Sequence, residues 1–349
     1  MPLISSLGTM NAVGFGFSAG KTFVPFVFTG NATLNPAIKV YNWTSNGFGT
    51  AYSSVPDYKV YNILFTSTND TIIYCTDSLS GNQVRFAPWV NGVGSGSNNA
   101  SVVVSPGQLQ YAKLNPSENT IAIGHNTTPW ISVYPWNKSS GFGTKYANPS
   151  TMLTGNNGKP AFNNAGNLLA VGQTGTPFIN VYNWSSGFGT KYANPTTLPT
   201  SGSTNYVTFN STGTVLALCG DTSPYVAAYL WSSGFSTKYA NPATAVSGYA
   251  SSIQFNNINS EIIIGADGAI GGNVYAWSSG FSTKRAAAVG GSNTSRAFFD
   301  STSTNVVCSI VSSPYISAFP WQVGTGYGTR YANPSSLPTN TLSTIGFSN

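Results

Sequence analysis

Apolar runs of about five to seven residues recur along the chain, each broken by Gly, Asn, Ser or Pro. A run such as Phe178-Ile179-Asn180-Val181-Tyr182-Asn183-Trp184 alternates apolar with polar and is rich in β-branched and aromatic side chains, as strands are. No stretch competes with the 3.6-residue period of an amphipathic helix. Reading on from Trp184, Phe188 to Lys191 follows a Ser-Ser-Gly turn, then Tyr206 to Phe209, then Val215 to Gly220. Four short strands make one unit.

Trp43, Trp89, Trp136, Trp184, Trp231, Trp277 and Trp321 fall 46, 47, 48, 47, 46 and 44 residues apart, so this unit is present seven times. Four strands per unit, seven times over, is the arithmetic of a seven-bladed β-propeller of four-stranded antiparallel blades, in which ring closure hides the sheet edges. A solenoid is the rival, but solenoid repeats of this length are usually helical.

With strands lettered a to d from the axis outward, strand a ends in Phe before a turn, as at Phe162-Asn163, Phe209-Asn210 and Phe255-Asn256. Strand b is apolar and closes on a small residue, and strand c reads Pro-aromatic-(Ile/Val) onward to Trp, as from Pro129 to Trp136, Pro177 to Trp184, Pro224 to Trp231 and Pro314 to Trp321. Strand d is Gly-Phe-Gly-Thr-Lys-Tyr-Ala-Asn-Pro or a variant. The second unit departs most, with a Gly/Ser/Asn segment from Gly92 to Asn99 where strand d should begin.

The order of strands b, c and d with an aromatic end to c resembles the Trp-Asp-repeat propellers, although no Gly-His pair recurs from unit to unit and Trp is never followed by Asp. The wording of the unit is more similar to a repeat in bacteriophage-encoded propeller-like proteins. That resemblance covers about residues 30 to 340 and implies a phage context.

The ends carry one strand too many. Ser5 to Thr9, leading to Val13-Gly14-Phe15, parallels Ser335 to Thr339, leading to Ile345-Gly346-Phe347, and only one copy can be the innermost strand of the first blade. The expectation is that the C-terminal copy, residues 342–348, closes a propeller of residues 21–349. Residues 1–20 are then an N-terminal arm or spare inner strand that contacts a neighbouring subunit or virion protein, because free strand edges recruit partners.

Composition narrows the chemistry. Charged residues are 6% of the chain while hydrophobic ones are 41%, so a full core can be buried beneath a surface of hydroxyls and amides. The net charge is +6, yet no basic run exceeds Lys284-Arg285, which argues against nucleic acid. No signal peptide and no eighteen-residue apolar run is present, so neither export nor membrane insertion is expected. Cys75, Cys219 and Cys308 are far apart and odd in number, and each is read as replacing the small residue that ends strand b.

Acid–base chemistry would have to draw on eight acids, Asp57, Asp70, Asp77, Glu118, Asp221, Glu261, Asp267 and Asp300, and on His125. Asp77, Asp221 and Asp267 share one repeat position on separate blades and read as turn caps. His125 reads as a polar loop residue, and no zinc spacing surrounds it. No catalytic residue, metal or cofactor is expected, and the tryptophans read as core.

The binding-face candidates are the Tyr-Ala-Asn-Pro loops, Tyr146 and Asn148, Tyr192 and Asn194, Tyr239 and Asn241, Tyr331 and Asn333, as an adaptable rim against the alternative of a plain turn. Lys145, Lys191, Lys238, Lys284 and Arg330 share one position in strand d, guarding an exposed edge or docking on an anionic neighbour. The reading that follows is a non-enzymatic phage virion protein, synthesised in the host cytoplasm, in a tail or fibre. It would present a binding face to the host surface or its glycans and to other virion proteins, with homo-oligomers open. The alternatives are a capsid decoration protein and a propeller lectin with repeated glycan sites.

Overall fold

The computed structural model describes residues 26–31, 37–54, 59–76, 83–89, 92, 102–103 and 109–348. The regular elements within them form seven four-stranded antiparallel sheets, the blades of an all-β seven-bladed propeller. The innermost strands of blades 2 to 7 are Val60–Phe65, Leu109–Leu114, Lys159–Phe162, Thr204–Phe209, Ala250–Phe255 and Thr294–Phe299. Blade 1 takes its innermost strand, Leu342–Phe347, from the far end of the chain, where it pairs antiparallel with Phe26–Asn31. The expected arm, residues 1–20, lies outside the described residues.

Residue choice explains the hairpin joining strands a and b. The Asn after the closing Phe turns its side-chain carbonyl back to accept two backbone N–H groups, from Asn167 (3.1 Å) and Leu168 (3.0 Å) at Asn163. Asn115 and Asn256 do the same, and Asp300 does so with a carboxylate. The turn is thereby tied without help from the core.

The tryptophans fill the wedge between blades, as expected of core residues. Trp184 meets Phe162 and Phe188 of its own blade and Tyr146 of the preceding one, all edge-on at ring distances of 5.2 to 5.8 Å. The same trio surrounds Trp231, Trp277 and Trp43. Such contacts are worth about 0.5–1.5 kcal/mol each beyond area burial, so the repeat is also the adhesive between blades.

Blades 6 and 7 add an ionic clamp. The fully buried Glu261 carboxylate accepts from Arg285 Nε and from Trp321 Nε1, both at 2.8 Å, and from the Gly324 backbone N–H at 3.0 Å. Both of its oxygens are engaged, which a buried carboxylate requires.

Local boundaries differ from the sequence expectation in three places. Strand c of blade 3 begins at Ile131 rather than Pro129, because Trp130 adopts φ +65° and cannot join the ladder; Phe178, Tyr225 and Tyr315 repeat this. Strand d is short, only Gly141–Phe142 in blade 3 and Phe188–Lys191 in blade 4, where the ladder shifts register between Tyr182 and Trp184; the Tyr-Ala-Asn-Pro segment lies beyond its end, tied on by the Tyr192 N–H to the Val181 carbonyl at 2.9 Å. In blade 2 it is Val102–Val103, beyond the Gly/Ser/Asn segment.

Cys308 also corrects the reading that all three cysteines take one position. Ser309, not Cys308, pairs with Ile316 as Cys219 pairs with Val226, so Cys308 faces the opposite side of its sheet and its thiol meets the Gly271 carbonyl at 3.2 Å. All three cysteines are buried and free, and burial pushes the Cys75 thiol up to about 12.

Candidate functional site

The third residue before the end of each innermost strand defines one level around the axis: Asn62, Tyr111, Lys159, Tyr206, Ser252, Arg296 and Thr344. Asn62 and Ser252 spend their side chains on the neighbouring blade, accepting the backbone N–H of Ala112 (3.1 Å) and Ala297 (3.0 Å). Tyr111 and Tyr206 come from blades separated by blade 4, yet their rings lie 5.1 Å apart, and Tyr206 is 5.7 Å from Phe298 of blade 7. These three rings form a plug across the axis.

The plug leaves two chambers. The lower one, about 620 Å³, opens among the a-to-b turns and is lined by Lys113, Glu118, Leu64 and Phe298. The upper one, about 290 Å³, opens among the b-to-c and d-to-a loops and is lined by Lys159, Asp221, Tyr249, Asn205, Ser203 and Ser251. Arg296 lines both.

The upper chamber holds the unusual chemistry. Lys159 keeps some accessible surface toward the chamber but has protein on every side, and this desolvation, aided by the Arg296 charge, brings its ammonium down to about 7. Half the molecules near neutral pH then carry a free amine. The ion pairs Lys138–Asp70 and Arg285–Glu261 lie elsewhere, and among the described residues neither Lys159 nor Arg296 has a hydrogen-bond or ion-pair partner for its cationic group. Asp221 is occupied, accepting from the Ser203 backbone N–H and the Thr222 hydroxyl at 3.0 Å each. Tyr249 stands at the rim, 44% exposed, its phenol raised by burial against the opposing pull of Arg296.

The residues singled out from sequence lie elsewhere. His125 is not a loop residue: it ends strand b of blade 3, fully buried, its ring nitrogens against Ser132 Oγ (3.1 Å) and Thr127 Oγ1 (3.3 Å). Burial holds it at about 4, neutral at physiological pH. Tyr146, Tyr192, Tyr239 and Tyr331 lie half-buried against the tryptophan of the next blade. Asn148, Asn194, Asn241 and Asn333 are exposed and each accepts from the basic residue three positions earlier, Lys145, Lys191, Lys238 and Arg330. The four pairs stay on separate blades and do not converge. Asp77 lies outside the described residues, and Asp267 stands at the loop beside Gly248, its backbone carbonyl accepting from Ser247 Oγ at 2.6 Å.

Lys159 and Arg296 escaped sequence reasoning. The signal was a charge placed inside an innermost strand, which only Lys113, Lys159 and Arg296 carry.

No protein-family profile and no curated protein matches the sequence. Solved structures do match the fold. A candidate 6-phosphogluconolactonase from Bacteroides uniformis superposes with a TM-score of 0.72 at 11% identity, covering 93% of this chain and 99% of its own. A Lactobacillus plantarum protein gives a TM-score of 0.75 at 13% identity over 93% and 99% of the two chains. The periplasmic gluconolactonase of Pseudomonas aeruginosa gives 0.68 at 12% identity over 94% and 99%.

Identities this low carry the fold alone. They nonetheless correct the expectation of a non-enzymatic virion protein, which stood on the wording of the repeat: five bacterial propellers match this chain along nearly its whole length, and three of them bear the names of lactone-hydrolysing enzymes.

Proposed function

We propose that the protein hydrolyses a small sugar-derived lactone in the upper chamber. The observation that carries this reading is a lysine amine brought to about 7 beside an unpaired guanidinium, in a polar chamber at the lower end of small-molecule site volumes. The names of the fold neighbours point to the same reaction class.

Neutral Lys159 takes a proton from a water molecule as that water attacks the lactone carbonyl carbon. Charge developing on the carbonyl oxygen falls to Arg296, whose guanidinium lines the same chamber. The acyl carbon–ring oxygen bond then breaks, and the proton held by Lys159 passes to the leaving ring oxygen. One water is consumed, and the products are a hydroxy group and a carboxylic acid, which releases its proton to solvent to become the carboxylate. Hydroxyls and amides of Ser203, Ser251 and Asn205 line the space where sugar hydroxyls would lie.

The test is proton release from glucono-δ-lactone and 6-phosphogluconolactone, measured above the spontaneous rate. Lys159→Met is expected to lower kcat by about 100-fold or more, the usual contribution of a positioned base. A wild-type rate no faster than the spontaneous one on both lactones, or a Lys159→Met variant as fast as wild type, rejects the reading.

A further inference from the structure

The lower chamber is left without a role by this reaction, and its charge is unbalanced. It is lined by two cationic side chains, Lys113 from blade 3 and Arg296 from blade 7, against one carboxylate, Glu118. That carboxylate is committed to the turn of the neighbouring blade, where it accepts the Ser67 backbone N–H at 2.5 Å. Among the described residues neither cation has a hydrogen-bond or ion-pair partner. Cationic groups that outnumber the carboxylates of a cavity leave it with excess positive charge, and an anion placed between them removes that cost.

The chamber is also too large for a bare ion. At about 620 Å³ it holds a drug-sized molecule, and Leu64 and Phe298 present apolar walls beside the cations. We infer that the lower chamber is a binding site for a small organic anion, its carboxylate or phosphate held by Lys113 and Arg296 and its flat apolar body set against Phe298 and Leu64. The two sites share Arg296 and are told apart by their lysines, because Lys113 lines only the lower chamber and Lys159 only the upper one.

The experiment is calorimetric titration of the full chain with phenyl phosphate, a probe with both the anionic and the flat apolar part. Wild type is expected to bind. Lys113→Met should weaken Kd by at least about tenfold, the cost of losing one partner of a charge-assisted contact in a cavity. Lys113→Arg should restore it, which separates loss of charge from loss of fold, and Lys159→Met should leave it within about twofold. Inorganic phosphate should bind more weakly, lacking the ring.

No binding to wild type up to about 10 mM, or an unchanged Kd in Lys113→Met, overturns the inference. Binding lost in Lys159→Met but kept in Lys113→Met would place the anion in the upper chamber and overturn it as well. A lactonase that fails this titration, or a binder without lactonase activity, tells the two proposals apart.

Discussion

An imidazole sealed in a β-sheet with only hydroxyl partners is held neutral, because nothing nearby offsets the cost of desolvating its cation. His125 is such a group, brought to about 4 by burial, and the unfolded chain restores its ordinary value near 6.5. As pH falls through 6.5 the unfolded state takes up a proton that the folded state refuses, so stability is lost between about 6.5 and 4 and levels off below that. The loss amounts to roughly 3 kcal/mol. Blade 4 solves the same position with Gln173, which hydrogen-bonds Asn180 at 3.1 Å as His125 does Ser132. His125→Gln is therefore expected to fold and to flatten that part of the pH–stability curve, measured by urea unfolding at fixed pH values. An unchanged slope would mean that His125 is protonated in the native state. Reading this residue from sequence fails on burial: other blades fill its repeat position with Gln173, Thr76 and Gly220, and nothing in that mixture of sizes announces that the site is sealed.

At the scale of the element, strands and turns were legible because they are local. Phe-Asn before a turn and an aromatic-rich alternation ending in Trp, which meets the Phe four residues on, specify hairpins through contacts within about ten residues of sequence. What the pattern could not place were the edges of strands c and d, which depend on the positive φ of Trp130, Phe178, Tyr225 and Tyr315 and on a bulge beside Trp184. Ring closure is the one long-range element. Leu342–Phe347 pairs with Phe26–Asn31, and Phe347 reaches Trp43 at 5.1 Å. Lys39 further anchors the segment leading to it, its amine donating to Ser336 Oγ at 2.8 Å and to the Leu337 carbonyl. Deleting residues 342–349 strips blade 1 of its inner strand and opens Val27 and Trp43, so the melting temperature should fall by more than about 10 °C, given several kcal/mol lost. A truncated chain that melts like wild type would mean that another segment closes the ring.

At the scale of the whole molecule, the ring brings together what the chain keeps apart. Lys159 and Arg296 are separated by three blades' worth of sequence, yet both stand at one level of the axial channel, where blades 4 and 7 face one center. Their meeting follows from closure of seven units, not from any spacing between the two residues, and this is why the repeat arithmetic was readable while the site was not. Resemblance in the wording of a repeat likewise pointed to a particle context, whereas the assembled ring matches propellers named for lactone chemistry. Lys159 as the general base is the claim on which the functional account turns, and its titration depends on the Arg296 charge beside it. The most direct measurement is therefore the pH dependence of kcat/KM for lactone hydrolysis, in wild type and in Arg296→Gln. The account predicts a wild-type rate that rises with pH and levels off above a midpoint near 7, and a lower rate in the variant whose midpoint moves to higher pH, because a lysine relieved of a neighbouring cation holds its proton more tightly. A wild-type profile without that midpoint, or one that Arg296→Gln leaves in place, would contradict it.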